Sequence, residues 1–396
     1  MSPKKENKGC GCGSIPVSLI IVLLGLSAWG LTHLNKLKIS KLLPDAQPKT
    51  IPLLTPAPSQ ITIVNEPLPP KLPTGKPTAK PQASPFPIAL TQQALSPQTA
   101  WERKQIRGIY LSRYQITNNA SEQTIRERVR YYRSQGINTM IHGVWGNGCT
   151  MYLSDVMQQT LGYKSCPNQF REQWLEWLID EAHKQGMQVH AYFEKGIKID
   201  RNSPIFDLAV SRGWLVPGID KTYAGIDQYV LDVEIPAVAN FFKKIAVEFV
   251  QKYPTIDAVQ WDDYLGYYAG LPGKIDRTAR LTTFVRQMRA DIKQANPIVS
   301  FDLCHHNPYW GKRYFAADWQ RWNLDRVFIQ TYNDANFNQE ITYAEKYAGI
   351  AISEQQLYRL KALVNNPKIK SVLIFSDSGK PEATAALIQR FTPISH

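Results

Sequence analysis

Asp262 and Asp263 are adjacent acids closing the run Asp257-Ala-Val-Gln-Trp-Asp-Asp263, and Glu194 closes a second run, His190-Ala-Tyr-Phe-Glu194. Cleaving a glycosidic bond takes two carboxyl groups. One keeps its proton for the leaving oxygen, and the other is ionised to attack or to activate water. Like charge and burial separate the pKa values of such a pair. Asp262 and Asp263 are therefore the candidate acid and base or nucleophile, with Glu194 as a third carboxylate. Adjacent acids also serve as helix caps and loop residues, so their meaning depends on the elements that carry them. Trp145, Tyr192, Tyr264 and Tyr332 are candidate sugar contacts, because a flat ring with a polar tip suits the apolar face of a sugar. Tyr309 and Trp310 belong to the same group of aromatics, whereas Trp261 is expected under a helix. His190, Gln260, Asp302, His305 and Gln330 are candidate hydrogen-bonding partners for substrate. His190 reads more readily as a buried, hydrogen-bonded histidine, and His305 with His306 as a loop pair beside a sugar site rather than a metal site. No metal or cofactor is expected.

The elements that must position these residues are short apolar runs alternating with amphipathic stretches. Strands are expected at 107–112, 138–145, 187–193, 257–262, 298–303, 326–331, 347–353 and 370–376. Between them, Ile125, Val129 and Tyr132 recur at helical spacing. So do Trp174, Leu178, Ile179 and Ala182, and Phe241, Phe242, Ile245, Phe249 and Val250. Gln135-Gly136, Gln185-Gly186 and Asn296-Pro297 supply turn signals before the next strand. Strand–helix alternation argues for an α/β fold with a parallel sheet, and eight units over 101–396 fit a (β/α)8 TIM-type barrel. No GxGxxG opens a helix after the first strand, which weighs against a doubly wound dinucleotide-binding sheet. In a barrel the chemistry lies at the C-terminal strand ends. Alternation then groups His190, Tyr192 and Glu194 on one face of their strand and Gln260 and Asp262 on one face of theirs, and both polar sets are expected to point into the barrel mouth.

Ahead of the barrel, residues 14–34 carry no Asp, Glu, Lys or Arg and are long enough to span a bilayer. An uncleaved signal anchor is expected there, after a cytoplasmic tail at 1–13. Residues 35–100 read as a Pro-rich disordered linker, since residues 44–97 hold 14 of the chain's 27 prolines. The expected protein is thus single-pass in the cell membrane with its barrel outside the cytoplasm. Residues 1–100 hold ten lysines, no arginine and three acids, so the barrel is only mildly basic. The run Arg126, Arg128, Arg130 and Arg133 fits a solvated helix face, and no nucleic-acid partner is expected. No CxxC occurs. Cys149 and Cys166 are a candidate disulfide, which in an exported domain closes a loop worth roughly 3 kcal/mol in the chain-entropy model.

The sequence resembles the bacterial glycosyl-hydrolase-like family ten, also called domain of unknown function 187. The resemblance rests on Arg107-Gly-Ile-Tyr-Leu, His190-Ala-Tyr-Phe-Glu194, Asp257-Ala-Val-Gln-Trp-Asp-Asp263, Asp318-Trp-Gln-Arg-Trp322 and Gln330-Thr-Tyr332, which occur in the family's order across about residues 101–376. It implies a barrel glycosidase acting on cell-envelope glycans, with peptidoglycan strands or exopolysaccharide as leading substrates. It places the family's acidic pair on Asp262 and Asp263. Asp302-Leu-Cys-His-His306 departs from the Ser-Pro pattern of the family at that point. A non-catalytic glycan-binding barrel would keep the aromatics without matched carboxylates, and a surface scaffold would show an apolar patch away from the mouth.

Overall fold

The structure is a computed structural model that describes residues 98–392, apart from 112–114, 116–118, 166, 168, 224–225, 269 and 273–275. The expected anchor at 14–34 and nearly all of the expected linker at 35–100 lie outside the described residues. Among the described residues, no helix is long and apolar enough to cross a membrane.

The strands, in chain order, are β1 (Ile106–Leu111), β2 (Thr139–Gly146), β3 (Cys149–Thr150), β4 (Gln188–Phe193), β5 (Lys198–Asp200), β6 (Asp220–Tyr223), β7 (Ile226–Val230), β8 (Ala258–Trp261), β9 (Ser300–His305), β10 (Arg326–Gln330), β11 (Gly349–Ser353) and β12 (Ser371–Phe375). The helices are α1 (Glu122–Ser134), α2 (Asp155–Leu161), α3 (Trp174–Lys184), α4 (Phe206–Ser211), α5 (Pro236–Lys252), α6 (Arg277–Ala295), α7 (Pro308–Phe315), α8 (Phe337–Tyr347), α9 (Leu360–Asn365) and α10 (Pro381–Phe391). Eight strands, β1, β2, β4, β8, β9, β10, β11 and β12, pair in parallel around a ring, and β1 pairs with both β12 and β2 to close it. All eight expected barrel strands are present.

The amphipathic stretches form the outer layer. Ile125, Val129 and Tyr132 are buried on α1, and Phe241, Phe242, Ile245, Phe249 and Val250 on α5. Ser121 caps α1 by accepting from the Thr124 amide, and Pro236 opens α5. Gly136 and Gly186 take the positive φ needed to turn from helix to strand. Alternation divides the sheet. Met140, Val189, Val259 and Phe301 belong to the apolar layer shared with the helices. Ile106, Tyr110, Ile141, Cys304, Phe328, Ala351 and Leu373 fill the barrel.

Two insertions follow strands at the C-terminal rim. Asn147 and Gly148, both at positive φ, turn β2 into the short hairpin strand β3. After β4 the chain builds a three-stranded antiparallel sheet in the order β5-β7-β6. Strand periodicity had not marked that sheet, because its strands are three to five residues long.

Candidate active site

Asp262 leaves the end of β8 and Asp263 opens a 3-10 turn, Asp263–Leu265. Asp262 is buried and points into the barrel. Its Oδ1 accepts from the Tyr264 amide at 3.0 Å, and its Oδ2 accepts a short hydrogen bond from the Tyr192 hydroxyl. It is thus both the cap of its turn and an inward carboxyl. Burial and then the adjacent Asp263 charge push its pKa well above the usual carboxylate range, against the pull of Tyr192, the Tyr264 amide and Lys198. Asp263 is half-buried, and Gln330 Nε2 donates to its Oδ1 at 3.2 Å and to the Cys304 carbonyl at 3.3 Å. β4, β8 and β10 therefore meet at the mouth through Tyr192, Asp262, Asp263 and Gln330. Glu194 lies half-buried just past β4 and near enough to Tyr192 to raise that phenol's pKa, but no hydrogen bond ties it to the pair.

Tyr110 lies beneath the pair. It receives a short hydrogen bond from Gln260 Nε2 and packs edge-on to Tyr192 at 5.2 Å. Tyr332 packs on Phe375 and lies within electrostatic reach of both acids. The Cys304 thiol between these phenols is pushed up to about 12, first by burial, which keeps it a neutral packing group. On the far side, buried Lys198 of β5 sets its Nζ over the Tyr268 ring, 3.2 Å from the centroid, and 4.8 Å from that of Tyr264. Tyr110 was missed as a site residue although its inward parity on β1 was available. Lys198 was missed because only the insertion brings it to the mouth.

Several sequence candidates fall elsewhere. Trp145 is fully buried, donates to the Gly196 carbonyl at 3.0 Å and packs on Phe241 and Phe242 of α5, so it is not a sugar platform. A register shift in β2 between Gly143 and Trp145 turns it outward, level with Phe193. Asp302 faces inward but sits low in the barrel. Arg326 Nε lies 3.0 Å from each of its oxygens, the Ser300 hydroxyl donates to it at 2.5 Å, and His190 approaches to 3.6 Å. Burial pushes the Asp302 pKa up while Arg326 and Ser300 pull the other way. His190 contacts Gln260 and Gln188, and burial lowers its pKa to about 3, so it is neutral. Gln260 is buried and holds Tyr110 rather than facing solvent. His305 turns away from the barrel axis against Phe315, and burial lowers its pKa to about 3. Trp261 is buried and stacked on Phe193. Cys149 is a buried free thiol, and Cys166 lies outside the described residues. Among the described residues, no group of three His, Cys, Asp or Glu side chains is arranged to hold a metal ion.

A cleft of about 470 Å³ opens at the opposite rim, lined by Gln188, Asp257, Ser300, Asp325 and Arg326 among others. Its carboxylates are already engaged: Asp257 accepts from the Val189 amide, and Asp325 from the Phe301 amide and Arg289. The N-terminal rim of a parallel barrel serves stability, so this cleft is not taken as the reaction centre.

Gly196 fixes the geometry of the acid turn. Its φ is +44°, and a Cβ there would lie 2.5 Å from the Tyr264 carbonyl oxygen. The next residue, Ile197, donates to that same oxygen at 3.1 Å. Gly196→Ala must therefore displace the backbone that follows Asp262 and Asp263. A loss of about 1–3 kcal/mol in denaturant unfolding is expected, with reduced turnover in the protein that still folds. Unchanged stability would show that the turn tolerates displacement.

A closed parallel barrel with carboxylates at its C-terminal mouth is the architecture of many glycosidases. Residues 105–276 match the family described as Glycosyl hydrolase-like 10. The chain is 29% identical over 301 residues to the glycosyl hydrolase DigH of Escherichia coli O6:H1 strain CFT073, covering 67% of this chain and 58% of that protein. It is 29% identical over 223 residues to DigH of Escherichia coli strain K12, covering 47% of this chain and 46% of that protein. The chain therefore spans about half the length of the curated relatives it matches. Among solved structures, a GH20 exo-beta-N-acetylglucosaminidase from Vibrio harveyi aligns with a TM-score of 0.48 at 9% identity, covering 72% of this chain and 54% of that one. A GH36 alpha-galactosidase from Geobacillus stearothermophilus aligns at 0.43 and 14% identity, covering 73% and 42%.

Proposed function

We propose that the protein hydrolyses glycosidic bonds in a cell-envelope polysaccharide, peptidoglycan glycan strands or exopolysaccharide, with Asp262 as proton donor and Asp263 as base or nucleophile. The observation that carries this reading is the unequal setting of two adjacent carboxyl groups at the barrel mouth. Asp262 is buried beside a like charge, which favours its protonated form, while Asp263 is partly open and held by the Gln330 amide. That is the division of labour a glycosidase needs. Tyr192 and the Tyr264 amide orient Asp262, while Tyr264, half-buried beside it, offers a ring face to a sugar. Glu194 is a third carboxylate at the rim. An apolar anchor at 14–34 and a linker at 35–100 would hold the barrel outside the cytoplasm, beside such a substrate. Incubating the full chain with purified peptidoglycan and with exopolysaccharide tests the reading. Mass spectrometry should show new saccharide ends. No product from either substrate would refute it.

The acid role has a signed pH dependence. Activity needs the proton on Asp262, so it is present below the raised pKa and lost as pH rises through it. The Tyr192 hydroxyl favours the ionised form, so Tyr192→Phe should raise that pKa further. The alkaline limb of the kcat/KM profile should move to higher pH by about one unit, the value of one hydrogen bond to a charged group. A shift to lower pH would assign the proton to a different group.

A further inference from the structure

We infer that the aromatic face of α7 carried by Trp310 and Tyr314 is a distal binding strip for the same glycan chain, continuous with the acid pair through His306. The inference rests on reading the mouth as a glycosidase site. α7 starts three residues after β9 ends, and so lies at the C-terminal rim. Trp310 and Tyr314 are one helical turn apart and therefore share a face. Their rings are 5.9 Å apart, and Trp310 lies 5.9 Å from His306. His306 stacks on Phe315 at 5.2 Å and lies within electrostatic reach of Asp263. A row of rings thus runs from His306 outward over the rim.

The row ends in solvent, with Tyr314 45% exposed. Single exposed aromatics need no explanation, but adjoining ones that continue a candidate site mark a binding surface. Each of these rings carries a polar tip, which suits a sugar face better than an aliphatic protein surface. The strip is also held rigid. The Asn307 side chain accepts from the Trp310 amide at 3.0 Å, and Trp319 Nε1 donates to the His306 carbonyl at 3.1 Å. A Cβ on Gly311 would lie 2.8 Å from Trp319 Nε1, so the helix packs directly on that indole. A preformed platform loses little entropy when it binds. The consequence is a polymer substrate, engaged over several sugars rather than at one terminal residue.

Sedimentation with purified insoluble peptidoglycan tests the strip in the full chain. Asp263→Asn serves as the non-cleaving background. That protein should be retained, and adding Trp310→Ala with Tyr314→Ala should weaken retention by about tenfold. Tyr314→Ala alone repeats the test at an exposed position, in case loss of Trp310 perturbs folding, which a melting curve reveals. Unchanged retention of folded strip variants, or no retention of Asp263→Asn itself, overturns the inference. Retention that depends on the strip, with no product released by the unsubstituted protein, supports the strip and refutes hydrolysis.

Discussion

Asp263→Asn and Asp262→Asn should each lower turnover of a verified glycan substrate by at least about 10²-fold while leaving the barrel folded. Each change removes one of the two carboxyl groups the reaction needs, the proton donor or the base or nucleophile, and water in the same position cannot replace a positioned carboxyl group. Asp263 is half-buried, and its one described hydrogen bond is from Gln330, so an amide there costs little stability. Asp262 is buried, yet an asparagine oxygen can still accept from the Tyr264 amide and keep the turn capped. The double variant should be little worse than either single one, because groups that act on one bond are not additive. Product release followed by mass spectrometry, with melting curves as a folding control, gives the result. If both variants turned over at the rate of the unsubstituted protein, the acid pair would have to be sought elsewhere, first at Glu194.

Asp302→Ala is expected to have the largest effect on stability, a loss of about 3–5 kcal/mol. The carboxylate is fully buried and accepts from Arg326 through both oxygens and from Ser300. Removing it leaves the guanidinium without its counter-charge at the floor of the barrel, and an unpaired charge in that setting costs far more than the intact pair gains. Arg326 keeps some access to solvent at the N-terminal rim, which favours the lower end of the range. Replacing both partners by apolar residues of similar volume should recover most of the loss. Denaturant unfolding distinguishes the two variants. A folded Asp302→Ala protein of normal stability that binds glycan poorly would instead restore Asp302 to the substrate-contacting role expected from its sequence position.

The fate of Asp302 shows how little separates a site residue from a core residue along a strand. Its inward parity was legible. Its depth was not, because the strand expected at 298–303 runs from Ser300 to His305. A shift of two residues is about 7 Å along a strand, one full layer of the barrel interior. His305 illustrates the other half of the rule. Cys304 faces inward, so its neighbour must face the helices, and His305 does. Trp145 defeated parity altogether, because the irregularity after Gly143 reverses the faces and leaves no mark in composition.

From residue order alone came the eight strands, the buried faces of the helices and the acid pair at the mouth. Buried parallel strands must be apolar runs, amphipathic helices must repeat at 3.6 residues, and a barrel offers its strand ends to chemistry. These are local constraints, written in consecutive residues. Tertiary structure alone decided that Tyr192 reaches Asp262, that Gln330 reaches Asp263, that Lys198 returns to the mouth on an inserted sheet, and that His306 packs against Trp310 of α7. Each of those contacts joins side chains whose separation is set by strand stagger, insertion path and helix docking, none of which any single segment specifies.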